Sequence, residues 1–323
     1  MIYLQSDSLN AHWNLALEYY LATEKILDDT VVYLWRTSPT VVIGKFQNAL
    51  EELDRQYTEE KGIRIARRMS GGGTIYNDEG GLMFTYIVPE NKPEIDFRSF
   101  IDPVIAALGN MGVPAEASGR NDILVDGKKV SGNAQFKTGG VTVHHGTLMF
   151  DVDIGEILRA TTPRPYKITS KSIQSVRERV TNIRDHLPAG CDMTRDQFRD
   201  RLAAELAGDS PRLVLHDADI AAVDRICRER FSQNVWQAQP RFAIEKVLHL
   251  PGGHMEFSLE TRQNVILTAV LHGDFFGTVD AEEICTLLQE VPFEKEAIAA
   301  ALSPIAGRIM GITPAEIAAG LTD

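Results

Sequence analysis

The sequence lacks any apolar run approaching the roughly 18 residues of a membrane-spanning helix, so no such helix is expected. Its opening, Met1-Ile2-Tyr3-Leu4-Gln5-Ser6-Asp7, has neither the basic nor the apolar region of a secretory signal, and the cytoplasm is the expected location. Cysteine is scarce: Cys191, Cys227 and Cys285 are the only 3 among 323 residues. Their odd number and wide spacing exclude a disulfide framework and a zinc motif, and each reads as a reduced, buried small hydrophobe. Basic residues are in deficit, 33 against 45 acidic ones, for a net charge of −12. A nucleic-acid binder would carry a basic stripe. The clusters at 64–68 and Lys128-Lys129 could hold one nucleotide's phosphates but not a duplex backbone, so no nucleic-acid partner is expected. Also missing are G-x-x-x-x-G-K-[ST] and G-x-G-x-x-G at a helix start, which disfavours P-loop, kinase and dinucleotide chemistry.

What is present is an ordinary globular composition, 44% apolar and 24% charged. At 323 residues the chain exceeds what one hydrophobic core usually serves, so two domains are expected. Helical spacing of apolar residues marks 10–27, 98–111, 153–160, 194–207 and 218–230. Strand-like runs occupy 31–35, 40–43, 63–66, 82–88 and 141–150. Asp126-Gly127 between Ile123–Val125 and Lys129–Ser131 is a hairpin turn signal. Strands in series interrupted by helices predict an α+β fold with a mixed sheet. The pattern changes around Trp236–Pro240. Strand-like segments and then helices follow, so a hinge near residue 240 divides a large domain, 1–240, from a smaller one, 241–323.

Three clusters carry candidate chemistry. The first is Arg67-Arg68-Met69-Ser70-Gly71-Gly72-Gly73-Thr74 after a short strand. Consecutive glycines permit positive φ and leave N–H groups free to line up on an anion. Arginine adds a planar donor fork, and Ser70 and Thr74 add hydroxyls. Taken alone, such a run could also be a flexible turn. The second cluster is Gly119-Arg120-Asn121-Asp122 followed by Lys128-Lys129-Val130-Ser131-Gly132-Asn133. The hairpin sets Lys129 beside small residues, where a ligand phosphate or carboxylate could approach, whereas Lys128 reads as an exposed turn lysine. Asp122 could be a Mg²⁺ ligand or a turn residue. The third is Val143-His144-His145-Gly146-Thr147. Adjacent strand residues face opposite ways, so at most one histidine serves a site. Two histidines without a third ligand are weak grounds for a metal.

These segments, in this order over about residues 10–185, strongly resemble the lipoate–protein ligases, as does Lys171-Ser172-Ile173-Gln174-Ser175-Val176-Arg177-Glu178-Arg179-Val180-Thr181-Asn182. The resemblance implies a catalytic domain of the biotin/lipoate ligase type with a C-terminal α/β accessory domain. It implies activation of lipoate by ATP with Mg²⁺, then transfer of the acyl group to a lysine. The implied acceptors are apo lipoyl domains of 2-oxoacid dehydrogenase E2 subunits or the glycine-cleavage H protein; octanoate is an expected second substrate. By position, Arg68 matches the adenylate-contacting arginine, Gly73, Thr74, Ile75 and Tyr76 the nucleotide stretch, and Lys129 the lysine touching both acyl group and adenylate. Ser70, Gly71, Gly72, Asn121 and Asp122 complete the expected nucleotide site, with Asp122 toward Mg²⁺. Trp35, Asn77, Gly132, His145 and Thr147 are the expected acyl contacts. The chain departs from the family pattern at Asn77, often His, and at Gly81, often Asn. Three alternatives stand beside this reading: an acyltransferase of the same fold that needs no ATP, a biotin–protein ligase, and a non-catalytic homologue that binds a lipoyl domain or nucleotide. A transferase of this fold would hold the acyl group on a cysteine, yet all three follow residue 190. A biotin ligase would be expected to carry a Gly-Arg-Gly-Arg type loop.

Overall fold

The structure is a computed structural model that describes residues 1–25, 27–90, 95–119, 121–161, 179–236, 240 and 242–322. Arg120, residues 171–178 of the Lys171–Asn182 motif and residues 237–239 of the expected hinge lie outside the described residues. Strands β1 (Ile2–Gln5), β2 (Val31–Trp35), β3 (Thr40–Ile43), β4 (Arg64–Arg67), β5 (Ile75–Asn77), β6 (Gly81–Val88), β7 (Ala115–Ser118), β8 (Asp122–Val125), β9 (Lys128–Thr138) and β10 (Val141–Met149) precede residue 150. Helices α1 (Ala11–Thr23), α2 (Ala49–Glu52), α3 (Arg55–Lys61), α4 (Arg98–Asn110), α5 (Ile154–Ala160), α6 (Arg195–Ala207) and α7 (Asp217–Ile226) accompany them.

The main sheet runs β1-β2-β6-β10-β9-β8-β7. Only β1–β2 is parallel; the remaining pairs are antiparallel, so the sheet is mixed as expected. Its strands are apolar on both faces because both are covered. On one side α1 and α7 close a core around Leu17, Leu21, Tyr33, Val223 and Ile226. On the other α4 and α6 close a core around Phe84, Ile101, Leu108, Phe198 and Leu202. A second small sheet, β4-β3-β5, carries the glycine loop between β4 and β5. The Asp126-Gly127 turn forms as its chemistry dictates, with φ of 50° and 72°.

Residues 244–322 build a separate antiparallel sheet of β11 (Ile244–Leu250), β12 (Gly253–Arg262) and β13 (Val265–Phe275). Helices α8 (Ala281–Leu287), α9 (Lys295–Ala301) and α10 (Pro314–Thr322) cover one face of it. The two bodies exchange aromatic side chains. Phe46 enters the C-terminal core and stacks on Phe275 with centroids 4.4 Å apart. Phe276 enters the core of the larger body and meets Phe97 edge-on at 5.4 Å.

Some local expectations shift. The first helix stops at Thr23 rather than 27. Cys191 is exposed rather than buried, on the turn that follows Pro188, while Cys227 is buried and Cys285 partly so. Phe46→Ala is expected to cost about 3–5 kcal/mol, the usual range for a buried phenylalanine. Urea unfolding of the full chain reads this, and an unchanged midpoint would show that the stack contributes nothing.

Candidate active site

A cavity of about 240 Å³ opens between the glycine loop, the β8–β9 hairpin and β10. Leu15, Val42, Ile75 and Met83 form an apolar wall. Lys129, Asp122, Asn121 and Thr147 form a polar one, and Arg68, Gly73 and Thr74 border it from the loop. Lys129 Nζ lies 2.7 Å from Asp122 Oδ1, both side chains about a third exposed. Gly132 makes this possible, since a Cβ there would stand 3.1 Å from both Cε and Nζ of Lys129. The lysine's backbone is pinned from a third direction, because Thr181 N donates to its carbonyl at 3.0 Å.

Asp122 is thus the counter-ion of Lys129 here. Among the described residues no group of three His, Cys, Asp or Glu side chains could hold a metal. A single carboxylate suits Mg²⁺ that arrives on nucleotide phosphates, since this ion is commonly held by one or two carboxylates plus substrate oxygens.

The glycine loop departs from the expected anion cradle. Arg68 is fully buried and does not offer its fork to the cavity. Its Nε donates to Ser70 Oγ at 3.1 Å, Nη1 to the Val42 carbonyl at 3.2 Å, and Nη2 to the Gly71 and Gly73 carbonyls at 2.8 Å each. Burial lowers its pKa to about 10, with Asp274 acting in the opposite sense, so it stays charged at neutral pH. Arg67 is structural, holding the carbonyls of Gly44, Lys45 and Gln47 through Nη1. Gly71 and Gly72 face the end of β13 rather than the cavity. Gly72 N donates to the Phe275 carbonyl at 3.2 Å. A Cβ on Gly71 would stand 2.1 Å from that same oxygen, and one on Gly72 2.7 Å from the Phe276 ring. In this arrangement the consecutive glycines serve close backbone packing between the two bodies. Asp274 and Phe276 complete the cavity from the C-terminal side.

Of the expected acyl contacts, His145, Thr147 and Gly132 border the cavity. His145 and Thr147 share one face of β10. His144 points the other way, stacked on Phe100 at 4.7 Å, and burial pushes its pKa well below the ordinary range. Trp35 lies beneath the cavity wall, its indole nitrogen donating to Thr85 Oγ1 at 3.2 Å. Tyr76 is buried behind the loop, its hydroxyl pKa raised chiefly by burial. Asn77 is buried too, and its amide finds no partner among the described residues. A Cβ on Gly81 would stand 1.7 Å from Asn77 Oδ1. The two departures from the family pattern therefore face each other, and Asn77 fills the space that a side chain at 81 would need. It does not border the cavity, unlike the expected acyl contacts His145, Thr147 and Gly132. Sequence reasoning missed Leu15, Val42 and Met83, and also Glu18, whose carboxylate lies 3.0 Å from His145 Nδ1. A signal was available for Glu18: with Asn14 it places two polar groups one turn apart on the buried face of α1.

A larger cavity, about 470 Å³, lies between Lys45–Asn48 and β13. Its cations are already engaged: Lys45 pairs with Asp280, Arg230 lies over the Tyr19 ring at 4.6 Å, and Arg67 holds carbonyls. Burial pushes the Cys285 thiol beside it up to about 12, so it is unreactive near neutrality.

Comparison with known proteins shows the family. A family model described as the lipoyl protein ligase A/B catalytic domain matches residues 10–207, and one described as the bacterial lipoate protein ligase C-terminus matches 239–321. The lipoate-protein ligase LplJ of Bacillus subtilis strain 168 is 38% identical over 94% of each chain. The structure of P. falciparum LipL1 in complex with lipoate superposes with a TM-score of 0.78, at 21% identity, over 96% of this chain and 95% of that one. A lipoate-protein ligase A bound with ATP superposes with a TM-score of 0.62, at 24% identity, over 73% of this chain and 97% of that one. At these identities the two superpositions speak for the fold.

Gly71→Ala should force the two bodies apart, because neither backbone can yield to a 2.1 Å contact. Small-angle scattering should show a larger radius of gyration than for the parent. Gly109→Ala, in α4 with nothing within 4 Å of the added carbon, is the control. It is expected to stabilise by about 0.5–1 kcal/mol and leave the dimensions alone. Equal dimensions for Gly71→Ala would mean that the loop is not held between the bodies.

Proposed function

Because the chain belongs to the lipoyl protein ligase A/B family, we propose that it is an ATP-dependent lipoate–protein ligase working in two half-reactions at the Lys129 cavity. In the first, a lipoate carboxylate oxygen attacks the α-phosphorus of ATP. The P–O bond to the β-phosphate breaks, and lipoyl-AMP and pyrophosphate form. In the second, the ε-amine of an acceptor lysine attacks the acyl carbon, an amide forms, AMP leaves with the C–O electron pair, and the amine loses a proton to solvent. Apo lipoyl domains of E2 subunits and the glycine-cleavage H protein are the acceptors this reading names.

The observation that carries the reading is the position of Lys129. Its ammonium stands at the rim of a cavity with an apolar wall on one side and the loop on the other. An acyl chain against Leu15, Val42 and Met83 leaves its carboxylate toward Lys129. The ammonium then offsets negative charge on the carboxylate and α-phosphate as they react, a charge-assisted contact worth roughly 1.5–3 kcal/mol. Thr74 and Thr147 add hydroxyls at the same border. Mg²⁺ bound to the phosphates would neutralise charge on the leaving pyrophosphate, with Asp122 as the carboxylate placed to hold it. A transferase using an acyl-cysteine is disfavoured, since none of the three cysteines borders this cavity.

The chain divides near residue 240, and the C-terminal body moves between the half-reactions. With Phe275, Phe276 and Asp274 against the loop, the Gly72 N–H is engaged and the cavity is capped. A bound nucleotide needs that face, so formation of the adenylate displaces the cap. Structures with and without lipoyl-AMP should differ in the angle between the bodies; an unchanged angle would remove this step.

Lipoate-dependent exchange of labelled pyrophosphate into ATP tests the function. The parent protein should support it with lipoate and more weakly with octanoate, because an apolar pocket separates such acyl groups by only roughly 1–3 kcal/mol. Lys129→Ala should lower the rate at least about tenfold while the thermal unfolding midpoint holds. No lipoate-dependent exchange by the parent would sink the ligase reading, and an active Lys129→Ala would name the wrong lysine.

A further inference from the structure

Behind the cavity runs a buried polar chain with no assigned part in the reaction. Glu18 Oε2 lies 3.0 Å from His145 Nδ1, and His145 Nε2 lies 2.7 Å from Ser70 Oγ. Arg68 Nε donates to that same Oγ at 3.1 Å. The other Glu18 oxygen accepts from Thr85, whose hydroxyl oxygen accepts from the Trp35 indole. Glu18, His145, Ser70 and Arg68 are all buried, between 1% and 6% exposed.

The ends of the chain fix its protons. Arg68 can only donate, and an ionised Glu18 can only accept. For a neutral imidazole this places the His145 proton on Nδ1, toward Glu18, and leaves Nε2 to accept from the Ser70 hydroxyl. The Ser70 oxygen then keeps a lone pair for Arg68. The sequence acid–imidazole–hydroxyl is that of a hydrolytic triad. It cannot be nucleophilic here, because Ser70 is 1% exposed and does not border the cavity.

We propose that Glu18 is a positioning residue for the adenylation step, acting through His145 and Ser70 on Arg68. Arg68 in turn holds the carbonyls of Gly71 and Gly73, so the chain fixes the shape of the loop that receives the nucleotide. This rests on the adenylating reading given above. Were Ser70 turned away, a guanidinium N–H would be buried without a partner, and the loop would relax to find one. The same imidazole borders the cavity, so the chain links the acyl side of the site to the nucleotide side.

Glu18→Gln tests the chain at its far end. The glutamine oxygen keeps the bond from Thr85, and its NH₂ then faces His145 Nδ1. The imidazole must move its proton to Nε2, and the Ser70 hydroxyl loses its acceptor. Steady-state pyrophosphate exchange is measured for the full-length parent, Glu18→Gln, Ser70→Ala and the double variant, with KM for ATP and for lipoate determined separately. In each single variant kcat should fall about 10- to 100-fold. The KM for lipoate should stay near the parent's, and the double variant should be no worse than Ser70→Ala, as members of one chain are not additive. A rise in lipoate KM with kcat intact would overturn the proposal, since Glu18 would then only wall the acyl pocket. Additive losses would overturn it equally. The imidazole nitrogen shifts of His145 give a readout independent of activity: Nδ1–H in the parent and Nε2–H in Glu18→Gln. An unchanged tautomer refutes the chain, whereas a parent without exchange activity refutes the adenylation reading and leaves the tautomer result standing. Should Glu18→Gln fail to fold, Ser70→Ala, which shortens the chain at its loop end, carries the same kcat and KM comparison.

Discussion

A buried guanidinium sets the shape of the site. Arg68 cannot shed its charge near neutrality even with its pKa lowered to about 10, so its N–H groups must find oxygens inside the protein. Three are backbone carbonyls and the fourth is Ser70. Drawing the Gly71 and Gly73 carbonyls to one point bends the chain between them, and Gly72 takes a φ of +88° to allow it. The loop's polarity is thereby sorted: carbonyls turn inward to the arginine, and the Gly72 N–H turns outward. What it meets there is a carbonyl oxygen from the end of β13, the same kind of acceptor that a phosphate oxygen would be. In place of the anion that the loop's composition suggests, the Gly72 N–H meets the C-terminal body.

The two bodies hold this arrangement by trading aromatics, with the Lys45–Asp280 ion pair beside them. Phe46 leaves from the β3–α2 connection, beside the carbonyls that Arg67 holds, and buries itself in the C-terminal core. Phe276 returns the exchange. Both anchors are within one or two residues of functional backbone: Phe46 follows Lys45, and Phe276 follows the Phe275 carbonyl on the loop. Separating the bodies therefore exposes two large rings and frees the Gly72 N–H in the same motion. On the proposed reading, nucleotide binding at the loop would compete with this aromatic burial and would have to outweigh it.

The parts of this site that sequence made legible are local ones. Three glycines after two arginines, an Asp-Gly turn beside a lysine and a pair of histidines on a strand each state their geometry within ten residues. The structure places Arg68, Gly73, Thr74, Lys129, His145 and Thr147 around one cavity. What was not legible depends on pairing across the chain. Nothing near Asp274 announces that it will cap a loop 200 residues earlier, and Glu18 shares its buried helix face with Asn14 without naming His145 as its partner. Trp35 and Asn77 show the limit of face alone: Trp35 pairs with Met83 and Asn77 lies two residues from Ile75, so each shares a strand face with a lining residue, yet neither borders the cavity. The Asn77–Gly81 contact links the two departures in one direction: with Asn77 placed as it is, a side chain at 81 has no room.

Lys129 completes the logic of a site at rest. Its ammonium is held by Asp122 rather than left bare, yet both side chains remain about a third exposed. Pairs of that exposure are worth roughly 0–1 kcal/mol, because water already screens them. A carboxylate or phosphate entering the cavity can therefore take the lysine from Asp122 at little cost. The freed aspartate is then an unpaired carboxylate facing the incoming phosphates, which is tolerable only if a cation arrives with them. Under the proposed adenylation, that cation would be Mg²⁺ carried on the nucleotide's phosphates. The buried Arg68 and the half-exposed Lys129 thus divide the work: one charge is locked in to shape the loop, and the other is left loose enough to be exchanged.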